Sequence, residues 1–251
     1  MKISEIKNMF DLADISQLKD IILEYAADER PGVCKLVLQA QNRIEKYETE
    51  VARIEAMRQY EEKYSQFDYI GGIDEVGRGP LAGPVVTCAL ILPKGLRILY
   101  ANDSKQLSAA KREELYDIIM EKALAVSIGM ESPKVIDDIN ILQATYKAMQ
   151  NAINGLKIKP DIMLNDAVTI PNITIPQVPI IKGDAKSLTI ACASIVAKVT
   201  RDKMMEEYAK LYPEYDFASN KGYGSAKHIE ALEKIGPCPI HRASFIKKWW
   251  C

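Results

Sequence analysis

Gly71-Gly72-Ile73-Asp74-Glu75-Val76-Gly77-Arg78-Gly79-Pro80-Leu81-Ala82-Gly83-Pro84-Val85-Val86 is the stretch on which the reading of this chain turns. Tyr69, Ile70 and Ile73 form an apolar run that ends in two adjacent acids, which puts Asp74 and Glu75 where a strand leaves the core. Side chains alternate faces along a strand, so the two carboxylates point apart unless the backbone kinks just after them. Gly77 and Gly79 permit that kink and let a ligand come close to the backbone, because glycine has no Cβ to obstruct either. Acids beside a loop that carries one guanidinium, Arg78, suit a divalent cation next to a phosphodiester.

Two more acids occupy comparable positions. Asp166 follows Ile162-Met163-Leu164, and Asp184 follows Val178-Pro179-Ile180-Ile181-Lys182-Gly183, just before a long helical run. Three apolar strands that each end in a carboxylate can bring those carboxylates to one sheet edge. An all-oxygen set of this kind suits hard ions such as Mg²⁺ and Mn²⁺. The matching chemistry is phosphodiester hydrolysis with two ions about 3.5–4 Å apart, one activating water and the other stabilising the leaving 3′ oxygen. A single acid at a strand end is ordinarily a cap or a solvated terminus. Three of them, one with a glutamate neighbour and a Gly-Arg-Gly loop, reverse that reading.

Around this centre the chain looks like an ordinary globular protein. Of its 251 residues 48% are hydrophobic and 27% charged, and its formal net charge of −1 neither points to a nucleic-acid ligand nor excludes one. No apolar run approaches the about 18 residues of a membrane span, and Met1-Lys2-Ile3-Ser4-Glu5 lacks the apolar centre of a leader. Five scattered cysteines without a Cys-x-x-Cys read as buried thiols in a reducing compartment, not as a zinc site or a disulfide frame. The expectation is a cytoplasmic, monomeric protein with no membrane partner.

Residues 1–66 differ from the rest. Runs 14–27 and 35–64 are helix-prone, with a break at Asp28-Glu29-Arg30-Pro31-Gly32, and predict a helical N-terminal extension. Residues 67–251 mix strand-like runs at 69–74, 85–92, 123–130, 162–166 and 178–182 with helical runs at 108–120, 142–153 and 187–211. Early strands lie close together and later ones alternate with helices, which predicts an α/β domain with a mixed sheet.

From about Tyr69 to Phe245 the chain resembles ribonuclease HII, the prokaryotic type 2 ribonuclease H. The resemblance rests on residues 72–79, Asp103-Ser104-Lys105, Leu164-Asn165-Asp166-Ala167, residues 182–187 and 191–202, Lys221-Gly222-Tyr223-Gly224, and His241-Arg242-Ala243-Ser244-Phe245, all in the family's order. Gln106, Ser225 and Cys238 depart from it, standing where lysine, threonine and serine are frequent in the family. The resemblance implies an RNase H-like mixed five-stranded sheet flanked by helices. It implies a carboxylate quartet of Asp74, Glu75, Asp166 and Asp184 holding two divalent ions, Mn²⁺ or Mg²⁺. The implied substrates are RNA–DNA hybrids and duplex DNA with an embedded ribonucleotide, cut on the 5′ side to leave a 3′-hydroxyl and a 5′-phosphate. Gly77, Arg78 and Gly79, with Tyr223, would recognise the 2′-hydroxyl, which DNA lacks.

Other residues have a functional and a structural reading. Lys182 and Lys186 flank Asp184, and Lys105 sits on a loop; all are candidates for phosphate contact or for charge balance beside acids. His228, on a helical run, reads as a surface or capping histidine, and His241 as structural. Ala191, Ala193, Ser194 and Ala197 give one helix a small face suited to close packing on the sheet. Two rival functions are another nuclease of the same fold, resolvase-like and indifferent to a 2′-hydroxyl, and a catalytically silent hybrid-binding protein.

Overall fold

The structure is a computed structural model and describes residues 1–250. Two compact units divide between Ala56 and Met57. The first carries α1 (Ile3–Leu12), α2 (Ile15–Tyr25) and most of α3 (Pro31–Met57). Asp14 starts α2 by accepting from the Gln17 N–H, and Pro31 opens α3, a position where its missing N–H costs nothing. Ile6, Phe10, Leu18, Val33, Leu36 and Ala40 form the unit's own core. The sequence reading leaves out α1, whose N-cap is a lysine, and runs the third helix on to residue 64. In the structure that helix ends at Met57, and α4 (Gln59–Lys63) follows within the second unit.

The second unit is built on β1 (Ile70–Val76), β2 (Val85–Ile91), α5 (Ala109–Lys122), β3 (Ala125–Glu131), α6 (Pro133–Asn154), β4 (Ile162–Asp166), β5 (Gln177–Ile180) and α7 (Leu188–Leu211). The short helices α8 (Phe217–Asn220), α9 (Ala226–Ile235) and α10 (Ala243–Ile246) complete it. The sheet order is β3-β2-β1-β4-β5. Pairs β1–β2 and β2–β3 are antiparallel; β1–β4 and β4–β5 are parallel, so the sheet is mixed, as the spacing of its elements predicts. Ser132 caps α6 and Pro133 is its first residue; the helix is interrupted at Asn140 (φ 67°), whose side chain restarts it by accepting from the Leu142 and Gln143 N–H groups.

Alternation along the strands divides the core. Ile73, Ala89 and Met163 meet Met149, Ala152 and Ile153 of α6, whereas Ile162 and Leu164 meet Ile190 of α7. The small face of α7 is buried as expected: Ala191, Ala193, Ser194 and Ala197 are all inside, which lets the helix lie close against β1 and β2.

Candidate active site

The ladder between β1 and β4 ends at Ile73↔Asn165, while β1 stays paired with β2 as far as Val76↔Val86. Asp74 and Glu75 therefore lie inside β1, one and two residues past its last parallel pair with β4, and not at the strand's end as the apolar run suggests. Asp166 is the last residue of β4 and the register places it next to Asp74. Past β5, a left-handed residue at Lys182 (φ 57°) turns the chain into the single turn Gly183–Ala185, which carries Asp184. The Gly183 N–H donates to Asp166 Oδ1 at 2.7 Å, locking the Asp184 turn onto the end of β4. Strands β1 and β4 and the turn after β5 thus bring the four acids to one edge of the sheet.

Their electrostatics are those of crowded like charges. Burial, then Glu75 and Asp166, push the Asp74 carboxyl well above its ordinary range, with Ser194 and the Glu75 N–H opposing. Burial raises Glu75, against the pull of Arg78 at 3.3 Å, and Asp166 raises it further. Asp184 rises through burial, Asp166 and Asp103. Burial opposes the charge on Lys105, but Asp103, Asp184, Asp74 and Asp166 together outweigh it and hold that ammonium more firmly protonated. Glu75 Oε2 is buried without a hydrogen-bond partner. An oxygen-only donor set with raised carboxyl groups and an orphaned oxygen fits a hard divalent cation, which would supply the missing positive charge. As placed, Asp74 and Asp166 are turned to backbone N–H donors, and no three acids, histidines or cysteines among the described residues yet close around one point.

A groove of about 630 Å³ opens beside the acids, lined by Glu75, the 77–79 loop, Ser104, Lys105, Arg112, Lys198 and Tyr223. The Tyr223 ring is half exposed, and a Cβ built on Gly79 would stand only 3.8 Å from its Cε1. Lys105 is held over the groove because Arg112 donates to the carbonyls of Ser104 and Leu107. The structure does not bring Lys182 there: its side chain is exposed and lines no part of the groove.

Behind the loop lie two arginines that sequence reasoning passes over. Arg242 Nη2 donates to the Gly77 and Gly83 carbonyls and Nη1 to that of Arg78; Arg201 donates to the carbonyls of Pro84, Ala82 and Lys221. Both side chains are fully buried. Gly77 has φ +88°, and a Cβ there would come within 2.3 Å of Arg201 Nε, so this position accepts glycine alone. The available sequence signal was a charged residue on an otherwise buried helix face, between Val199 and Met205.

His228 is buried, not on the surface. The Cys238 N–H donates to His241 Nδ1, the two imidazoles share a 2.9 Å Nε2···Nε2 contact, and His228 Nδ1 meets the Tyr223 carbonyl at 2.8 Å. That carbonyl only accepts, so Nδ1 of His228 carries a proton. Burial lowers both histidines, His241 to about 4 with help from His228, so the pair is neutral and structural. The histidines hold the Tyr223 loop by its backbone.

The sequence pattern that defines ribonuclease HII matches residues 71–248, and that of the ribonuclease HII N-terminal domain matches residues 2–65. The chain belongs to the ribonuclease HII family. A ribonuclease HII of Lachnoclostridium phytofermentans is 61% identical over 98% of this chain and 97% of that protein. Among solved structures, ribonuclease H2 of Pyrococcus horikoshii matches with TM-score 0.57 and 28% identity, over 70% of this chain and 93% of that one. RNase HII in a PCNA complex from Archaeoglobus fulgidus matches with TM-score 0.58 and 25% identity over the same shares. As a ribonuclease HII, the chain is an endonuclease that hydrolyses the RNA strand of RNA–DNA hybrids.

Proposed function

We propose that this ribonuclease HII also incises duplex DNA at single embedded ribonucleotides, on their 5′ side, leaving a 3′-hydroxyl and a 5′-phosphate. In this reading Asp74, Glu75, Asp166 and Asp184 hold two divalent ions, Mn²⁺ or Mg²⁺. When bound, such ions activate water and offset the charge on the departing 3′ oxygen. The chain's own residues do the selecting. With the Gly77 and Arg78 carbonyls bound to Arg242, the amide N–H groups of the 77–79 loop and the Tyr223 hydroxyl are the groups we assign to a 2′-hydroxyl in the groove. The Tyr223 face suits stacking on the sugar at the junction with deoxyribose. Arg78 and Lys105 face the phosphates across the groove; Lys182 lies farther out and would meet the backbone away from the cut. All of these groups come from one chain, so a monomer suffices, and the setting we assign is the cytoplasm.

The observation that supports this reading is one groove lined by Glu75, the outermost of the acid cluster, by the small-residue 77–79 loop and by the exposed Tyr223. The test is digestion of a duplex with one embedded ribonucleotide, beside an all-DNA duplex, with Mn²⁺, with Mg²⁺ and with chelator. Metal-dependent cutting of the ribonucleotide duplex alone is expected. Equal cutting of both would favour a resolvase-like nuclease; hybrid binding without any metal-dependent cutting would leave a silent hybrid binder.

A further inference from the structure

Glu61 lies on α4, a helix that the family's N-terminal pattern still includes and that packs with the second unit. Tyr60, Tyr64 and Phe67 fix this segment on the sheet by packing against Ile70, Ile162, Leu164, Ile180 and Ile190. Glu61 Oε1 accepts two hydrogen bonds, from Ser187 Oγ at 2.6 Å and from the Thr189 N–H at 2.9 Å. Ser187 is the fully buried N-cap of α7, and its Oγ in turn accepts from the Ile190 N–H at 3.2 Å. A carboxylate at this end of a helix also meets the positive end of its dipole.

The bonds continue into the acid edge. The Ser187 and Lys186 N–H groups both donate to the Gly183 carbonyl, at 2.8 and 3.0 Å, closing the turn that carries Asp184. The Gly183 N–H then grips Asp166 Oδ1. One unbroken hydrogen-bonded path therefore runs from Glu61 through Ser187 and Gly183 to Asp166, with Asp184 on the turn it closes. The groups that hold a ligating carboxylate tune its affinity nearly as much as the ligand itself.

We propose that Glu61 is a positioning residue for the metal centre: by clamping Ser187 and Thr189 it fixes the turn that sets Asp184 and Asp166 for the cations. This gives the end of the N-terminal region a role in the reaction without any contact with substrate. It rests on the reading of the four acids as metal ligands.

The test uses the full-length chain and measures Mn²⁺ binding by calorimetry without substrate, alongside the metal-free melting temperature and cleavage as a function of Mn²⁺. Glu61→Ala should bind Mn²⁺ about tenfold more weakly, the lower end of what loss of a ligand-orienting group costs. Its cleavage should recover at saturating Mn²⁺. Glu61→Gln keeps an acceptor oxygen for both donors and should restore binding to within about twofold of wild type. Ser187→Ala removes one link and should weaken binding by about threefold, which keeps the proposal testable should Glu61→Ala fail to fold. Wild-type affinity in Glu61→Ala, or in Ser187→Ala when only that variant folds, would overturn the proposal, whatever happens to the melting temperature; Glu61 would then be only a helix cap. If wild type itself bound no Mn²⁺, the metal reading and this proposal would fall together.

Discussion

The acid edge and the underside of the 77–84 loop both bury charge, and they treat it in opposite ways. Under the loop, the donors of Arg201 and Arg242 are met by backbone carbonyls from 77, 78, 82, 83, 84 and 221. Burial, and for Arg242 the nearby Arg201, pulls both guanidinium groups down, Arg242 to about 9. At the acid edge the balance is left open: three carboxyl groups are raised and Glu75 Oε2 has no partner. Buried polar groups are normally paired, so the open set of acids is where the proposed cation binding would complete the structure.

The largest effect should come from removing a central acid. Asp74→Asn is predicted to cut cleavage by more than about a hundredfold, because a ligand is lost and not just a group that orients one. Single-turnover assays at saturating Mn²⁺ check this, and an active Asp74→Asn would end the metal reading. Breaking the other side should act on folding instead. Arg242→Ala strands several buried carbonyls and is expected to cost about 3 kcal/mol or more by chemical denaturation. A loss below about 1 kcal/mol would show that water replaces the guanidinium and that the loop does not depend on it.

Tyr223→Ala should sharpen the contrast within the groove. We predict about a tenfold loss of cutting at single ribonucleotides, the scale of one lost stacking contact, with duplex binding reduced much less. Equal losses in binding and cutting would contradict a role in reading the sugar. The smallest predicted effect is a pH-dependent one. A carboxyl whose pKa is raised by folding contributes stability that is present at low pH and lost as pH rises through the folded value. The metal-free Asp74→Asn chain should therefore melt a few degrees above wild type at neutral pH, at about 2–4 °C per kcal/mol, and the gap should close on acidification. Calorimetric scans across pH measure it; a gap that widens towards acid would mean Asp74 is not raised.

Much of this was legible in the sequence because strand patterning and site chemistry coincide. Apolar runs leading to Asp74, Asp166 and Asp184 mark the strands near each acid, although only Asp166 ends one, and the glycines around Arg78 and Tyr223 announce loops. What stayed hidden depends on partners distant in sequence. The hydrogen-bond partners of Arg201 and Arg242 are carbonyls of residues 77–84 and 221, which no local pattern around either arginine reveals. His228 has helical spacing that suits exposure, yet Tyr215, Phe217 and His241 enclose it. The first helix lacks a standard cap, so its start carried no signal. Strand β1 runs two residues beyond the strand-like run 69–74 because β2, not β4, supports its last residues.

In the proposed reading the acid edge is complete only with a cation bound. Melting temperature of wild type and Asp74→Asn, each titrated with Mn²⁺ in the absence of nucleic acid, tests it most directly. A rise in wild type that is absent or much smaller in Asp74→Asn is predicted; identical curves for the two chains would contradict it.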